Sequence, residues 1–272
     1  MDLTPSLATQ DRDPSAHAHA HAPAIVLEDL VVAYDRRPAV HHLSGRFPSG
    51  GLTAIVGPNG GGKSTLLKAL AGVQPISSGR LDKGDLRRKD IAYLPQYAEI
   101  DRSIPISVLD LVCCGFVQRA GLFGGISRAM RAEAESALAL VGLAGFETRL
   151  IENMSIGQFQ RALFARVLVQ DARLILLDEP FAAIDAATTA DLVGLIDRWH
   201  RQGRNVILVS HDFDLVRRVC PEALLLAREP IAWGPTRQVL TPDLLARARR
   251  RSEAWDESAG ACELSTDLHV HS

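Results

Sequence analysis

Short apolar runs alternate along most of the chain with segments whose apolar residues recur at helical spacing. Five runs are short, apolar and mostly bounded by turn or charged residues: Ile25–Leu27, Leu52–Val56, Ile91–Leu94, Leu174–Leu177 and Val206–Val209. Runs of this kind are typical of buried strands. The helical pattern covers four segments: Ser64–Ala71, Gly157–Gln170, Thr188–Gln202 and Phe213–Val219. Strands that alternate with helices predict an α/β domain with a largely parallel sheet.

One long segment, Ser107–Gly142, interrupts this alternation. Its pattern is almost wholly helical, and five of its positions are expected to be buried: Leu109, Leu111, Val112, Leu138 and Val141. The segment is too long to be a simple crossover between strands. It therefore predicts a helical subdomain inserted into the α/β domain.

A last helix is predicted to begin near residue 241. Thr241 suits the N-cap position and Pro242 suits the first turn. Four arginines are then expected near the C-terminal end of the helix, where the helix dipole favours cations: Arg247, Arg249, Arg250 and Arg251.

The two ends of the chain differ in composition from the body at 24–250. Residues 1–23 are polar and contain an alternating His-Ala run with His17, His19 and His21, which predicts a disordered leader. Residues 251–272 are predicted to be a flexible tail. Imidazoles on a flexible leader can bind transition metals weakly, but a solvated, alanine-rich segment is the preferred interpretation.

The composition limits the classes of protein that need consideration. The 272 residues are 47% apolar and 23% charged, as in a globular chain with one large domain or two joined ones. The net charge of −2 argues against nucleic acid as the main partner. The four cysteines include no CxxC pair and fit a reducing, cytosolic setting.

Membrane insertion is not expected from the sequence. No run of about 18 uncharged apolar residues occurs. The N-terminal segment carries acidic residues and lacks an apolar signal core, so a secretory peptide is not expected. If the protein acts at a membrane, it is therefore expected to act as a peripheral protein.

Residues Gly57–Thr65 read Gly-Pro-Asn-Gly-Gly-Gly-Lys-Ser-Thr and fit the phosphate-loop pattern G-x-x-x-x-G-K-S/T. Glycines let successive N–H groups point at a phosphate, and the following helix directs its dipole at the same anion. Lys63 supplies positive charge and Ser64 a hydroxyl for Mg²⁺. A chance glycine-rich turn is disfavoured because a predicted strand precedes the loop and a predicted helix follows it. The residues predicted to bind nucleotide are Gly57, Pro58, Asn59, Gly60, Gly61, Gly62, Lys63, Ser64 and Thr65.

Two carboxylates and a histidine follow predicted strands. Asp178 and Glu179 end the Leu174–Leu177 run, and His211 comes shortly after Val206–Val209. Asp178 is positioned to hold Mg²⁺, and Glu179 to polarise an attacking water. Because the carboxyl ends of parallel strands meet at one edge, His211 is expected near the phosphates. Taken alone, the two carboxylates could equally be a solvated acidic turn.

The stretch Met154-Ser155-Ile156-Gly157-Gln158-Phe159-Gln160-Arg161 resembles the LSGGQ signature of ABC transporter ATPases. The resemblance covers about 25–240. It implies a P-loop NTPase fold with a largely parallel sheet, an antiparallel β portion at the N-terminus and a helical subdomain at about 97–157. It also implies ATP hydrolysis with Mg²⁺.

Individual roles follow from positions that match the family pattern. Tyr34 resembles the aromatic residue that stacks on adenine, and Gln96 the glutamine that meets Mg²⁺ and couples to the membrane subunit. Asp185 resembles the dimer-contact aspartate and His211 the switch histidine. By the same resemblance, Asp178 is the metal ligand and Glu179 the catalytic base.

The resemblance further implies a homodimer in which Ser155, Gly157 and Gln158 of one copy close over the ATP of the other. The chain departs from the family pattern at Met154, Ile156 and Ala182. Ile156 stands where the family has glycine. Since a β-branched residue disfavours positive φ, the signature loop must take a backbone conformation that isoleucine can hold.

Residues 94–115 and 157–161 resemble the zinc/manganese-uptake branch of the family, as does Phe181–Asp185. This implies import of zinc or manganese through a separate integral-membrane permease, fed by an extracytoplasmic metal-binding protein. The chain would then be peripheral, on the cytoplasmic face of the membrane. Other clients such as haem or a siderophore, a soluble ABC ATPase acting on ribosomes or DNA, and a non-hydrolysing scaffold are the alternatives.

Overall fold

The computed structural model describes residues 21–34, 37–121, 124–182 and 184–258. Within these ranges the chain forms nine strands in two sheets, with helices on both faces of the larger sheet. No helix in the described ranges combines the length and the apolar character that crossing a membrane needs.

The larger sheet has six strands in the order β5-β6-β7-β3-β8-β9. Their bounds are β3 Leu52–Val56, β5 Ile91–Leu94, β6 Leu174–Asp178, β7 Asn205–Val209, β8 Glu222–Ala227 and β9 Glu229–Pro235. Every pairing is parallel except that of β8 with β9. The predicted parallel sheet is confirmed, although the sequence pattern missed β8 and β9.

The smaller sheet is antiparallel, in the order β2-β1-β4, with β1 Ile25–Tyr34, β2 Arg37–Phe47 and β4 Ser78–Asp82. The pattern had predicted only the first three residues of β1. Register shifts along β1 break the period-two alternation, and Asp29 and His42 take positive φ at the irregularities. The antiparallel portion implied by the family resemblance is present.

Four helices lie within two residues of their predicted bounds: α1 Lys63–Ala71, α5 Ile156–Gln170, α6 Ala186–Arg201 and α7 Phe213–Val219. The long segment 107–142 is less continuous than predicted. It forms α2 Val108–Cys113, α3 Val117–Ala120 and α4 Arg128–Leu140, with a break between α3 and α4 that ends where Ser127 caps α4. The last two helices are α8 Thr236–Val239 and α9 Pro242–Ser258.

Two apolar cores cover the two faces of the larger sheet, which explains why its strands are continuously apolar. Along β6, Leu174 and Leu176 face the core that contains α1 and the smaller sheet, whereas Ile175 and Leu177 face the core that contains α2, α4 and α5. All five positions predicted to be buried in the helical segment are buried.

Both predicted chain ends need correction. Ala22 is buried and its N–H donates to the carbonyl of Gly203 at 3.0 Å, so the predicted disordered leader does not extend to residue 23. Helix α9 is capped by Thr241 as predicted, but it continues to Ser258. The flexible tail predicted from 251 is therefore wrong for residues 251–258, and the four arginines lie in the middle of the helix. His17, His19 and residues 259–272 lie outside the described residues.

Candidate active site

The phosphate loop, Gly57–Thr65, connects β3 to α1 as predicted. Gly57 and Gly62 have φ of 147° and 86°. A Cβ at Gly57 would lie 2.0 Å from the carbonyl oxygen of Leu226, and one at Gly62 would lie 2.1 Å from that of Ala39. Backbone conformation and packing both require glycine at these two positions.

Lys63 is almost fully buried beneath the loop. Its Nζ donates to the carbonyl oxygens of Gly57 at 3.1 Å and Pro58 at 2.8 Å. Burial lowers the pKa of Lys63, and the charges of Glu179 and Asp178 oppose that shift. The buried ammonium group thus donates to neutral carbonyl oxygens. A bound phosphate would replace these carbonyls with a charged acceptor.

Asp178, at the end of β6, is completely buried. Ser64 Oγ donates to its Oδ1 at 3.0 Å, while Oδ2 is buried without a hydrogen-bond partner among the described residues. Burial raises the pKa of Asp178 to about 6, the Ser64 hydrogen bond lowers it, and the charge of Glu179 raises it. A carboxylate oxygen without a partner beside a hydroxyl is the kind of oxygen ligand set that Mg²⁺ prefers, so these residues fit that ion.

Glu179 is held between Gln96 and His211. Gln96 Nε2 donates to one carboxylate oxygen at 3.1 Å, and His211 Nε2 lies 2.5 Å from the other. The three residues follow the adjacent strands β5, β6 and β7, whose carboxyl ends meet at one edge of the sheet. Glu179 has φ of 48°, an uncommon conformation for a residue that is not glycine. The structure therefore brings together all three predicted catalytic residues, Gln96, Glu179 and His211.

The phosphate loop from Asn59 onward and the Gln96–Glu179–His211 group line one cavity of about 760 Å³, which we call the phosphate cavity. The predicted residues Gly57, Pro58 and Asp178 are not among the residues that line it. Tyr34 lies at its edge and is 44% exposed. The residues that line it are Tyr34, Ala39, Asn59, Gly60, Gly61, Gly62, Lys63, Ser64, Thr65, Gln96, Glu179 and His211. Ala39 is the one that sequence reasoning missed, because it belongs to the unpredicted strand β2. A neighbouring cavity of about 800 Å³, between α6 and α7, shares Glu179 and His211 with it.

The other predicted contacts lie elsewhere in the same chain. Ser155, Gly157, Gln158 and Asp185 line a separate cavity of about 300 Å³, which we call the signature cavity. The lining residues of the two cavities do not overlap. A single copy of the chain therefore does not bring the signature residues to its own phosphate loop.

Ser155 begins α5 with a capping box. Its Oγ accepts from the backbone N–H of Gln158 at 3.2 Å, and the Gln158 side chain accepts from the backbone N–H of Ser155 at 3.1 Å. Ile156 is the first residue of the helix and is 38% exposed. Its φ is not positive, so isoleucine causes no backbone strain at this position.

Asp185 caps the next helix, α6, a role that sequence reasoning missed. Its carboxylate accepts from the backbone N–H of Thr188 at 2.8 Å and from the Thr188 hydroxyl at 2.7 Å. These hydrogen bonds lower the pKa of Asp185. Arg161 of α5 donates to the same hydroxyl at 2.6 Å, so the signature helix and the predicted dimer-contact loop are joined.

Comparisons with known proteins agree with this geometry. A model of the ABC transporter family matches residues 40–182. The chain is 38% identical over 221 residues to a manganese transport system ATP-binding protein of Listeria monocytogenes, covering 80% of this chain and 92% of that protein. It is 37% identical over 229 residues to a zinc transport system ATP-binding protein of Treponema pallidum, covering 83% and 86%.

Among solved structures, an ABC transporter of metal-chelate type in an inward-facing conformation superposes with a TM-score of 0.74. The sequences are 28% identical, and the match covers 85% of this chain and 90% of that chain. The predicted fold class is thereby confirmed. The family match includes the phosphate loop, Asp178 and Glu179. The chain therefore belongs to the ABC transporter family, as one of its ATP-binding, ATP-hydrolysing subunits.

Proposed function

We propose that this chain hydrolyses ATP to power import of zinc or manganese through a separate integral-membrane permease. The observation that carries the hydrolytic role is the position of Glu179, held by Gln96 and His211 at the phosphate cavity. The metal substrate is supported by the manganese and zinc transport systems to which its relatives belong.

The phosphate cavity supplies the groups that an ATP molecule needs. Backbone N–H groups of the phosphate loop and Lys63 bind the phosphates, and Tyr34 stacks on adenine. Ser64, Asp178 and Gln96 would hold Mg²⁺. When bound, this ion would neutralise phosphate charge and so favour in-line attack.

Glu179 then acts on the attacking water. Its carboxylate accepts a proton from the attacking water as the water oxygen bonds to the γ-phosphorus and the bond from that phosphorus to the oxygen of the departing ADP breaks. Gln96 and His211 each bind one of its oxygens, so the carboxylate has a defined orientation. His211 also contacts the γ-phosphate and links its presence to the position of Glu179.

A second copy of the chain completes the site. The signature residues Ser155, Gly157 and Gln158 are not among the residues that line the phosphate cavity of their own chain. The N-terminus of α5, a helix of 15 residues, offers N–H groups and a dipole suited to a γ-phosphate. We assign Ser155, Gly157 and Gln158 to the ATP of the partner copy, with Asp185 at the interface.

The remaining partners follow from a transport role. The subunit is peripheral and acts at the cytoplasmic face of the membrane. An extracytoplasmic metal-binding protein delivers the ion to the permease and meets this chain only indirectly. Stimulation of ATP turnover by Zn²⁺ or Mn²⁺ in the reconstituted complex, without stimulation by haem or a siderophore, is the expected result. The reverse pattern would replace the metal by the alternative client.

The hydrolytic assignment is tested with Glu179→Gln. We expect ATP turnover to fall by at least about 100-fold, because the glutamine amide cannot accept a proton from the attacking water. ATP affinity should stay within about twofold of the parent, because the amide has nearly the same size and can still form hydrogen bonds in the site. Glu133→Gln is the matched control, since Glu133 pairs with Arg119 away from both cavities. Equal turnover in the Glu179→Gln and parent proteins would show that another group is the base.

A further inference from the structure

The segment that follows Gln96 carries Arg102, whose guanidinium reaches the residues just before α5. Its Nη2 donates to the carbonyl oxygens of Ile151 at 3.1 Å and Glu152 at 3.4 Å, and to that of Met154. Its Nη1 donates to the hydroxyl of Tyr97. Ile151 and Glu152 belong to a short 3-10 helix, Ile151–Asn153, in which the Ile151 carbonyl also accepts from the backbone N–H of Met154 at 3.3 Å. Arg102 therefore adds a charged donor to the carbonyls that lead into α5.

The face of the same guanidinium lies against two aromatic rings. Arg102 Cζ is 5.1 Å from the ring centroid of Phe159 and 5.7 Å from that of Tyr97. The two rings meet edge to face at 5.8 Å, and Phe159 is fully buried. A planar guanidinium can donate to carbonyls from its edge while it stacks on rings, which a lysine ammonium cannot do.

These contacts lie on both sides of Ser155 along the chain. The carbonyl of Met154 precedes Ser155, and Phe159 is one helical turn after it on α5. Met154 is itself buried. Arg102 therefore contacts the chain on both sides of the first turn of α5, which carries the capping box and borders the signature cavity.

The other end of that segment leads to the phosphate cavity. Tyr97 directly follows Gln96, and Gln96 donates to Glu179. A continuous path of bonds and contacts therefore connects the two cavities through six residues: Glu179, Gln96, Tyr97, Arg102, Met154 and Ser155.

We infer that Arg102 is a positioning residue that fixes the signature cavity to the segment next to the phosphate cavity of the same chain. Its effect is on how well Ser155 and Gly157 fit the nucleotide of the second copy, and it does not touch the nucleotide of its own copy. The inference rests on the proposed dimer. It assigns to one side chain the link between the two nucleotide sites of that dimer.

The test introduces Arg102→Lys and Arg102→Met into the Glu179→Gln protein and measures dimerisation with Mg²⁺ and ATP by sedimentation. Both variants are expected to raise the dimer dissociation constant at least about tenfold. Neither side chain can form the set of charge-assisted hydrogen bonds that the planar guanidinium makes to the carbonyls before α5 and to the Tyr97 hydroxyl. Binding of a fluorescent ATP analogue to the monomer should stay within about twofold of the parent. Arg119→Lys is the matched control and should dimerise as the parent does, because Arg119 stacks on Phe116, 5.1 Å from its centroid, and donates to the carbonyl of Val169 away from both cavities.

Two results would overturn the inference alone: dimerisation of Arg102→Lys as strong as that of the parent, or a loss of ATP affinity in the monomer that matches the loss of dimer. The second result would mean that Arg102 supports the fold in general and not the signature cavity. If the Glu179→Gln protein itself does not dimerise with ATP, the dimer of the proposed function fails, and this inference fails with it.

Discussion

At the scale of one residue, Asp178 is a proposed cation-binding carboxylate in an environment that disfavours its charge. It is fully buried, one of its oxygens has no hydrogen-bond partner among the described residues, and its pKa is raised to about 6. Above that pH the folded protein carries a buried carboxylate charge that, among the described residues, accepts a side-chain hydrogen bond from Ser64 alone. A bound cation would relieve the cost of that charge.

The pH dependence of stability follows from the direction of this shift. The pKa of Asp178 is higher in the folded chain than its ordinary value of 3.8, so the folded state binds more protons between those values. The free energy of unfolding is therefore lowered as pH rises through this window and stays lowered above about pH 6. Asp178→Asn removes this dependence. In urea unfolding without nucleotide, the free energy of unfolding of the variant relative to that of the parent should increase by about 1–2 kcal/mol between pH 5 and pH 7.5. A constant difference would contradict the raised pKa.

Glycines at the two cavities are required for different reasons. A Cβ at Gly62 would meet a backbone oxygen at 2.1 Å, whereas the nearest atom to a Cβ at Gly157 is Ile184 Cγ2 at 3.8 Å. Gly157→Ala should therefore leave the free energy of unfolding within about 1 kcal/mol of the parent, and Gly62→Ala should lower it by more than about 2 kcal/mol. In the Glu179→Gln background, Gly157→Ala should still abolish ATP-dependent dimerisation, because its methyl group occupies the space proposed for the γ-phosphate. Normal dimerisation of Gly157→Ala would remove Gly157 from the interface.

At the scale of one element, α5 combines a stabilising cap with a proposed binding surface. Ser155 and Gln158 bond each other in the capping box, so both side chains serve the helix before any nucleotide is present. Aspartate is as good an N-cap as serine, but it carries a negative charge.

Substitution at Ser155 separates these two roles. Ser155→Ala should lower the free energy of unfolding by about 1 kcal/mol, whereas Ser155→Asp should leave it nearly unchanged. Ser155→Asp should nevertheless prevent dimerisation in the Glu179→Gln background, because in the proposed dimer its carboxylate would face the triphosphate of the other copy. Thermal unfolding and sedimentation measure the two effects. Dimerisation of Ser155→Asp with the affinity of the parent would contradict the proposed contact.

At the scale of the whole molecule, the candidate site lies at the carboxyl ends of the parallel strands, and the N-terminal segment packs at their amino ends. Asp178, Glu179 and His211 follow the carboxyl ends, while the N-terminal residues 21–23 pack at the opposite ends of β3 and β7. Buried Asn205 donates to the carbonyl of Pro23 at 2.6 Å and accepts from the N–H of Gly51 at 3.2 Å. One amide thus joins the N-terminal segment to two strands of the sheet.

Asn205→Ala should therefore affect the fold and not the nucleotide. It removes the donor to the Pro23 carbonyl, whereas the Gly51 N–H still donates to the carbonyl of Pro48 at 3.1 Å, so the free energy of unfolding should fall by about 1–2 kcal/mol. ATP affinity at a temperature where the variant is folded should equal that of the parent. A weaker ATP affinity in the folded variant would show that the two ends of the sheet are coupled.

The parts of the fold that depend on local signals could be predicted from the sequence. Helix α7 has its predicted bounds because Asp212 caps its start, and β3, β5 and β6 are short apolar runs with breakers on both sides. Strand β8 was missed because Glu222–Ala227 carries leucines and alanines that suit a helix equally well. The three-residue contact of 21–23 was missed because its partners, Gly203 and Asn205, are about 180 residues away in the chain.

The same division applies to function. The sequence by itself determined the phosphate loop, because that loop is one contiguous turn whose geometry depends on its own glycines and lysine. It also determined that Asp178 and His211 lie at one sheet edge, since parallel strands share a direction. Only the tertiary structure decided that Gln96 and His211 hold Glu179, that the signature residues line a separate cavity, and that Arg102 joins the two regions. Those contacts connect residues separated by 32 to 83 positions, and no local pattern encodes which side chains meet after the helices pack.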